Sequence, residues 1–271
     1  MIIAAGPFRR ARTTMGTMSD RLSRTTSDEE HRQPMTDKTL DLRKLIAIDG
    51  PAAAGKTTVA RDLAARLGGM LFDTGALYRS VTLAALRRGI ATSDGAALTR
   101  LTQTSTIDLR PASVDDGRLV DVLLDGEDVT WAIRSPEVDA SVSEVSAHPG
   151  VRASLLPVQR EIASDATVVM VGRDIASVVA PDAGVKIYLD ASVTERARRR
   201  AEELRGRGVD VMDAEIEADL SERDRYDSTR ELSPLLAVPD AIHVDTDGLT
   251  IDEVVDRLDS IVRLRWNELG L

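Results

Sequence analysis

Short apolar runs alternate with stretches of helical periodicity along most of the chain. Residues 44–49 (Lys-Leu-Ile-Ala-Ile-Asp), 70–73 (Met-Leu-Phe-Asp), 167–171 and 185–189 predict strands. The near-continuous apolar runs among them suit strands buried on both faces, as in a parallel sheet. Apolar spacing predicts helices over residues 57–67, 76–88, 135–164, 192–206, 212–229 and 250–266, with a last strand at 241–244. Gly89 ends the second helix. Residues 104–130 break the pattern: 105–110 and 119–124 look like strands, and Asp125-Gly126 supplies the positive-φ pair of a hairpin turn. Strands alternating with helices predict an α/β fold, a parallel sheet covered on both faces with its ligand at the strand carboxyl ends. Residues 104–130 form a small antiparallel insert in it.

The loop after the first strand changes this from a fold into a chemistry. Gly50 to Thr57 read Gly-Pro-Ala-Ala-Ala-Gly-Lys-Thr and match G-x-x-x-x-G-K-S/T at every fixed position, between a predicted strand and a predicted helix. Such a turn points successive backbone N–H groups at phosphate oxygens. Lys56 adds a mobile charge, and Thr57 offers a hydroxyl to Mg²⁺. A nucleoside triphosphate is the expected ligand.

Composition narrows the partners. At 271 residues and 42% hydrophobic content the chain can bury a substantial core. A formal net charge of −10 argues against general binding to nucleic acid or to a membrane surface, so an anionic ligand calls for a local arginine cluster. With no cysteine and only three scattered histidines, disulfides and thiolate or zinc sites are excluded. An intracellular, cytoplasmic enzyme fits, and no apolar run reaches the roughly 20 residues of a membrane span. Residues 1–34 are rich in Arg, Ser and Thr with little apolar periodicity. They read as a disordered and dispensable extension, whether a transit peptide or the product of a start upstream of Met35.

Candidate chemistry gathers just beyond strand ends. Thr74 and Arg79 follow the second strand, as ligand contacts or as a helix cap and a surface residue. Arg173 and Asp174 follow the third, able to hold a phosphate and an amine-bearing base or simply to pair with each other. Arg196, Arg198, Arg199 and Arg200 share one helix, with Arg205 and Arg207 beyond it. These are either a solvated charge run or a lid that brings arginines to a transferring phosphoryl group. Arg223, Asp227 and Arg230 lie at i, i+4 and i+7, the spacing of a salt-bridge ladder or of a site face.

Taken in order, these segments resemble the bacterial cytidylate kinases, nucleoside monophosphate kinases of the P-loop class. The resemblance runs from about Leu45 to the C-terminus. It is carried by residues 48–58, by Asp73 to Arg79, by Glu127-Asp-Val129 with Ile133-Arg134, and by Val142-Ser143 through Val151-Arg152 to Gln159-Arg160. Gly172 to Asp174, residues 185–192, Glu195-Arg-Ala197 and residues 223–234 complete it. It implies transfer of the γ-phosphoryl group of ATP, with Mg²⁺, to CMP or dCMP. Matching positions give the ATP phosphates to Gly50, Pro51, Ala52, Ala53, Ala54, Gly55, Lys56, Thr57 and Thr58, with Thr57 also placing the metal ion. Thr74, Arg79 and Arg173 would face the acceptor phosphate. Ser143, Arg152 and Asp174 would read the cytosine with Arg230 nearby, and Arg223 and Asp227 would contact the ribose region. Arg198 and Arg199 would swing in with a lid at about 196–212. The catalytic set implied is Lys56, Arg173, Arg198, Arg199 and Arg223. The implied layout is an extension over 1–40 and a P-loop kinase domain over 41–271, its insert on the monophosphate side and its lid short and helical. A monomer is expected.

The chain departs from the family pattern at Ala53, in place of a glycine, and at Val171, in place of an acidic residue. Ala176 and Ala180 replace a glycine and an aromatic residue. Because the acceptor is an already ionised phosphate, no general base is needed, consistent with many arginines and no catalytic His or Cys. The rival readings are another small-molecule P-loop kinase, a nucleotide-dependent switch, and a nucleotide-binding protein without turnover. The Arg-rich acceptor side disfavours a hydroxyl acceptor, and the absence of an Asn-Lys-x-Asp motif disfavours a guanine-nucleotide switch.

Overall fold

Strand β1 (Leu45–Asp49) is buried along its whole length, and its alternate residues serve two different cores. Leu45 and Ala47 point into one cluster, Ile46 and Ile48 into another, so a covering layer on each face is required. Burial of Leu45, Ile46 and Ile48 stabilises the fold by roughly 1.5–3 kcal/mol apiece. The computed structural model describes residues 42–163, 167–206 and 208–271, so the expectation for residues 1–40 lies outside the described residues.

From β1 the chain enters α1 (Lys56–Arg66), β2 (Met70–Asp73) and α2 (Thr74–Arg87), then α3 (Gly95–Thr104). The insert follows as β3 (Ile107–Pro111), β4 (Val120–Leu124) and the two-residue β5 (Glu127–Asp128). Next come α4 (Pro136–Ala147), α5 (Pro149–Ile162), β6 (Val168–Gly172), a π-helical turn at Ile175–Val179, and β7 (Val185–Asp190). The chain closes with α6 (Val193–Gly206), α7 (Asp213–Thr229), β8 (Ile242–Asp245) and α8 (Ile251–Glu268).

The main sheet is parallel throughout, in the order β2-β6-β1-β7-β8. Its register sets Asp49 beside Gly172, and Asp73 beside Val171, so the carboxyl ends of β1, β2 and β6 open onto one crevice. Helices α1 and α8 cover one face through Val59, Leu63, Val255 and Leu258. Helix α8 starts at a capping box in which the Thr250 hydroxyl and the Glu253 carboxylate satisfy each other's backbone N–H. Helices α2, α4 and α5 cover the other face and share a core with the insert through Ile107, Leu109, Val122 and Leu124. The insert is antiparallel, in the order β3-β4-β5, and turns at Asp125 (φ 52°) and Gly126 (φ 90°), as Asp-Gly predicts. Among the described residues, no helix is long and apolar enough to cross a membrane.

Two features differ from the sequence reading. The stretch read as one helix over 135–164 is two, because His148 turns to an extended conformation ahead of Pro149, which opens α5. Helix α3, capped by the Asp94 carboxylate, lies in a stretch where the spacing predicted no element.

Candidate active site

The crevice begins where β1 stops. Gly50 has φ 151°, and a Cβ there would lie 2.0 Å from the Leu189 carbonyl oxygen, so only glycine lets the chain leave the sheet beside β7. Gly55, at φ 83°, enters α1 without any side-chain cap. The first N–H groups of that helix therefore face the loop as donors for an anion. Between the two glycines Ala53 sits at φ 59°, a left-handed conformation that costs a residue with a Cβ roughly 1–2 kcal/mol. The departure from glycine at this position is thus accommodated with backbone strain.

Lys56 is buried and donates from Nζ to the carbonyls of Gly50 (2.8 Å) and Pro51 (2.6 Å). Burial, with Arg173 nearby, holds its ammonium well below the ordinary lysine range. The Thr57 hydroxyl donates to Asp73 Oδ2 at 3.0 Å, and the other oxygen of Asp73 caps α2 through the Gly75 N–H at 2.9 Å. Thr74 is therefore not the cap: it is buried and donates to the Val171 carbonyl at 2.9 Å, tying α2 to β6. Val171 itself is part of the sheet core.

Across the crevice from the loop, Arg79 donates to the Ile133 carbonyl (3.1 Å) and to Asp139 Oδ1 (2.5 Å). Arg173 donates to Asp227 (3.0 Å) and to the Gly50 carbonyl (3.3 Å), and so links α7 to the loop at residues 50–57. Arg223 lies 3.8 Å from Asp139, and its buried Nε has no hydrogen-bond partner among the described residues. Burial, together with the charges of Arg173 and Arg79, pushes this guanidinium down to about 10, still protonated at neutral pH. A buried, unspent donor beside two other guanidiniums is chemistry suited to an anion.

A second group of side chains closes the far end. Asp174, buried, is paired with Arg152, whose guanidinium lies 5.3 Å from the centre of the Tyr78 ring. Arg152 also donates to the Ser146 carbonyl (3.0 Å), while Arg230 donates to the Ser146 hydroxyl (3.3 Å) and the Ser233 carbonyl (2.7 Å). Ser143 reaches this group through its own carbonyl, which accepts from the Ser146 hydroxyl at 3.0 Å. Asp227 joins the two halves, facing Arg173 on one side and Arg230 at 3.7 Å on the other. Its partner Arg173 comes from another element, so this is a link across the crevice rather than a ladder along one helix.

Of the arginines on α6, Arg196 and Arg200 lie at the crevice, while Arg198 and Arg199, expected to swing in with a lid, are paired along α6 and with Thr246. Arg198 is half exposed and paired with Glu195 and Glu202, and Arg199 is held by Glu195 and Thr246. Neither is paired with Asp139, around which Arg79 and Arg223 gather. Arg200 is, donating to Asp139 Oδ2 at 2.7 Å. Arg196 is buried against the phosphate loop, donating to the Ala52 carbonyl (3.1 Å) and pairing with Asp224 (2.6 Å). Ala52, Ala197 and Leu220 pack beneath this contact and seat the α6–α7 hairpin on the loop. Sequence reasoning gave no role to Asp139, which holds Arg79 and Arg200, or to Asp49. Fully buried at the end of β1, Asp49 accepts the N–H groups of Ile175 and Ala176, each at 2.8 Å, and so fixes the turn that follows Arg173 and Asp174. Burial raises its carboxyl to about 6, against the pull of those two hydrogen bonds. The signal was a carboxylate ending an otherwise apolar strand.

Comparison with known proteins points to one family. Residues 46–264 match the family model described as cytidylate kinase. The chain is 49% identical over 224 residues to a cytidylate kinase of Symbiobacterium thermophilum, covering 83% of this chain and 97% of that protein. It is 51% identical over 210 residues to one of Chloroflexus aggregans, covering 78% and 90%. It is 50% identical over 225 residues to a bifunctional pantoate ligase/cytidylate kinase of Synechococcus, covering 83% of this chain but only 46% of that longer protein.

Proposed function

Because the chain belongs to the cytidylate kinase family, we propose that it transfers the γ-phosphoryl group of ATP to CMP or dCMP, giving ADP and the nucleoside diphosphate. The observation that carries this reading is the bridge from phosphate loop to acceptor side: Arg173 touches the Gly50 carbonyl and Asp227 at once, with Arg79 and Arg223 beside it.

In the proposed reaction an oxygen of the acceptor phosphate forms the new bond to the γ-phosphorus while the bond to the β,γ-bridging oxygen breaks, and ADP carries away that electron pair. No proton has to be removed from the acceptor, so the residues act by placement and by charge. The N–H groups of residues 50–58 and Lys56 hold the donor phosphates, with Lys56 exchanging its loop carbonyls for phosphate oxygens. Thr74, Arg79, Arg173 and Arg223 take the acceptor phosphate. Arg152 and Asp174 present a charged donor and a carboxylate to the base, and Asp227 serves the ribose. The paired oxygens of Thr57 and Asp73 are a donor set fitted to a hard cation. They would hold Mg²⁺, which, when bound, neutralises charge on the transferring phosphoryl group. The lid is the segment at about 196–212, at the end of α6; Arg198 and Arg199 swing in with it on closure, and Arg200 already reaches Asp139.

Release of ADP from Mg-ATP with CMP, dCMP, UMP, AMP and no acceptor tests the assignment. Fast turnover with CMP or dCMP and slow turnover with AMP is the expected pattern. Equal turnover with all acceptors, or none above the blank, refutes it.

A further inference from the structure

One carboxylate receives arginines from three different helices. Asp139, on α4, has Oδ1 at 2.5 Å from Arg79 of α2 and 3.8 Å from Arg223 of α7, and Oδ2 at 2.7 Å from Arg200 of α6. All four side chains are about one-fifth exposed, so the cluster is open to a solute and not sealed in the core. Glu203 is the other carboxylate on Arg200, at 2.7 Å, and Asp227 as well as Asp139 acts on Arg223. Among the described residues, the buried Nε of Arg223 has no hydrogen-bond partner. A carboxylate and a phosphate are recognised by the same guanidinium fork, so an incoming phosphate and Asp139 compete for the same donors.

From this we infer that Asp139 is an affinity-setting residue of the acceptor site: an internal counter-ion that occupies Arg79 and Arg200 and must give them up to the acceptor phosphate. The inference rests on the acceptor-site reading above. Holding the arginines with a resident carboxylate keeps three like charges together in the empty site, and it weakens the hold on the phosphate group. A weaker hold on the acceptor phosphate lowers ground-state binding and eases departure of the diphosphate product.

Calorimetric titration of CMP and of cytidine at one low ionic strength, into the unaltered chain, Asp139→Asn and Asp139→Ser, tests it. Two partly exposed ion pairs no longer have to be broken in the variants, so CMP is expected to bind about three- to tenfold tighter, with cytidine unchanged. Melting curves give a second readout: both variants melt lower than the unaltered chain without ligand, and CMP raises their midpoints further than it raises that of the unaltered chain. Equal or weaker CMP binding by variants that fold, or an equal CMP-induced shift, overturns the proposal and leaves the kinase assignment standing. An unaltered chain that binds no CMP overturns both.

Discussion

Asp49 gives a pH dependence whose sign and size follow from its surroundings. Its folded-state value of about 6 lies some two units above the ordinary 3.8, so the folded chain binds this proton more readily than the unfolded one. The stabilisation from protonation is fully present below about pH 3.8 and is lost as the pH rises through 6. Between pH 7 and pH 5 the proton linkage is worth about 1 kcal/mol, since each unit within the window contributes up to about 1.4 kcal/mol. Asp49→Asn removes the titration while preserving shape and one acceptor for the Ile175 N–H. Urea unfolding of both proteins at the two pH values isolates the effect, because every other titrating group cancels in the difference. The stability of the unaltered chain relative to Asp49→Asn is expected to rise by about 1 kcal/mol on going from pH 7 to pH 5. A difference that stays constant, or falls, would show that Asp49 is ionised throughout and that its two backbone hydrogen bonds outweigh its burial.

Other perturbations address the loop and the base side. Lys56→Ala removes the only side-chain cation of the phosphate loop and is expected to lower kcat on the order of 10²- to 10³-fold with the fold intact, measured by steady-state kinetics alongside a melting curve. Ala53→Gly relieves the left-handed strain at φ 59° and, after the entropic cost of glycine, should stabilise the chain by about 0.5–1 kcal/mol in a denaturant titration. A loss of stability would mean that the methyl packing against the α6–α7 hairpin matters more. Asp174→Ala strands Arg152 in a buried position, so it should cost about 3 kcal/mol of stability and raise KM for CMP while KM for ATP stays within about twofold. A parallel rise in both constants contradicts its place on the base side.

How much of this was legible in the sequence depends on how local the cause is. Strands β1 and β6 are flanked on both faces, so their residues had to be apolar in succession, and the pattern shows it; β7 alternates, with Lys186 and Tyr188 on its less buried face. The Asp125-Gly126 turn and the Gly50 and Gly55 positions were equally plain, because each is set by its own backbone conformation. Helix α3 was not, since only Leu98, Leu101 and Thr102 of it are buried. The break before Pro149 left a signal in the proline itself, overridden by the apolar spacing on either side. The three consecutive arginines at 198–200 differ only in direction around α6, and direction is decided by docking. Ala197 and Ala201 mark the packed side, and Arg200 lies next to it, at i+3 and i−1. Asp139 and Ser146 owe their positions to partners more than 50 residues away in the chain, which no spacing rule reports.

The central claim is phosphoryl transfer between the two halves of the Arg173 bridge, and the fate of the γ-phosphorus tests it most directly. The chain would be incubated with Mg²⁺, CMP and ATP labelled at that atom, and the products separated. The account predicts that the label leaves ATP only when CMP or dCMP is present and appears as the β-phosphate of CDP or dCDP. Label released as inorganic phosphate, or retained in ATP while the nucleotide is bound, would contradict it.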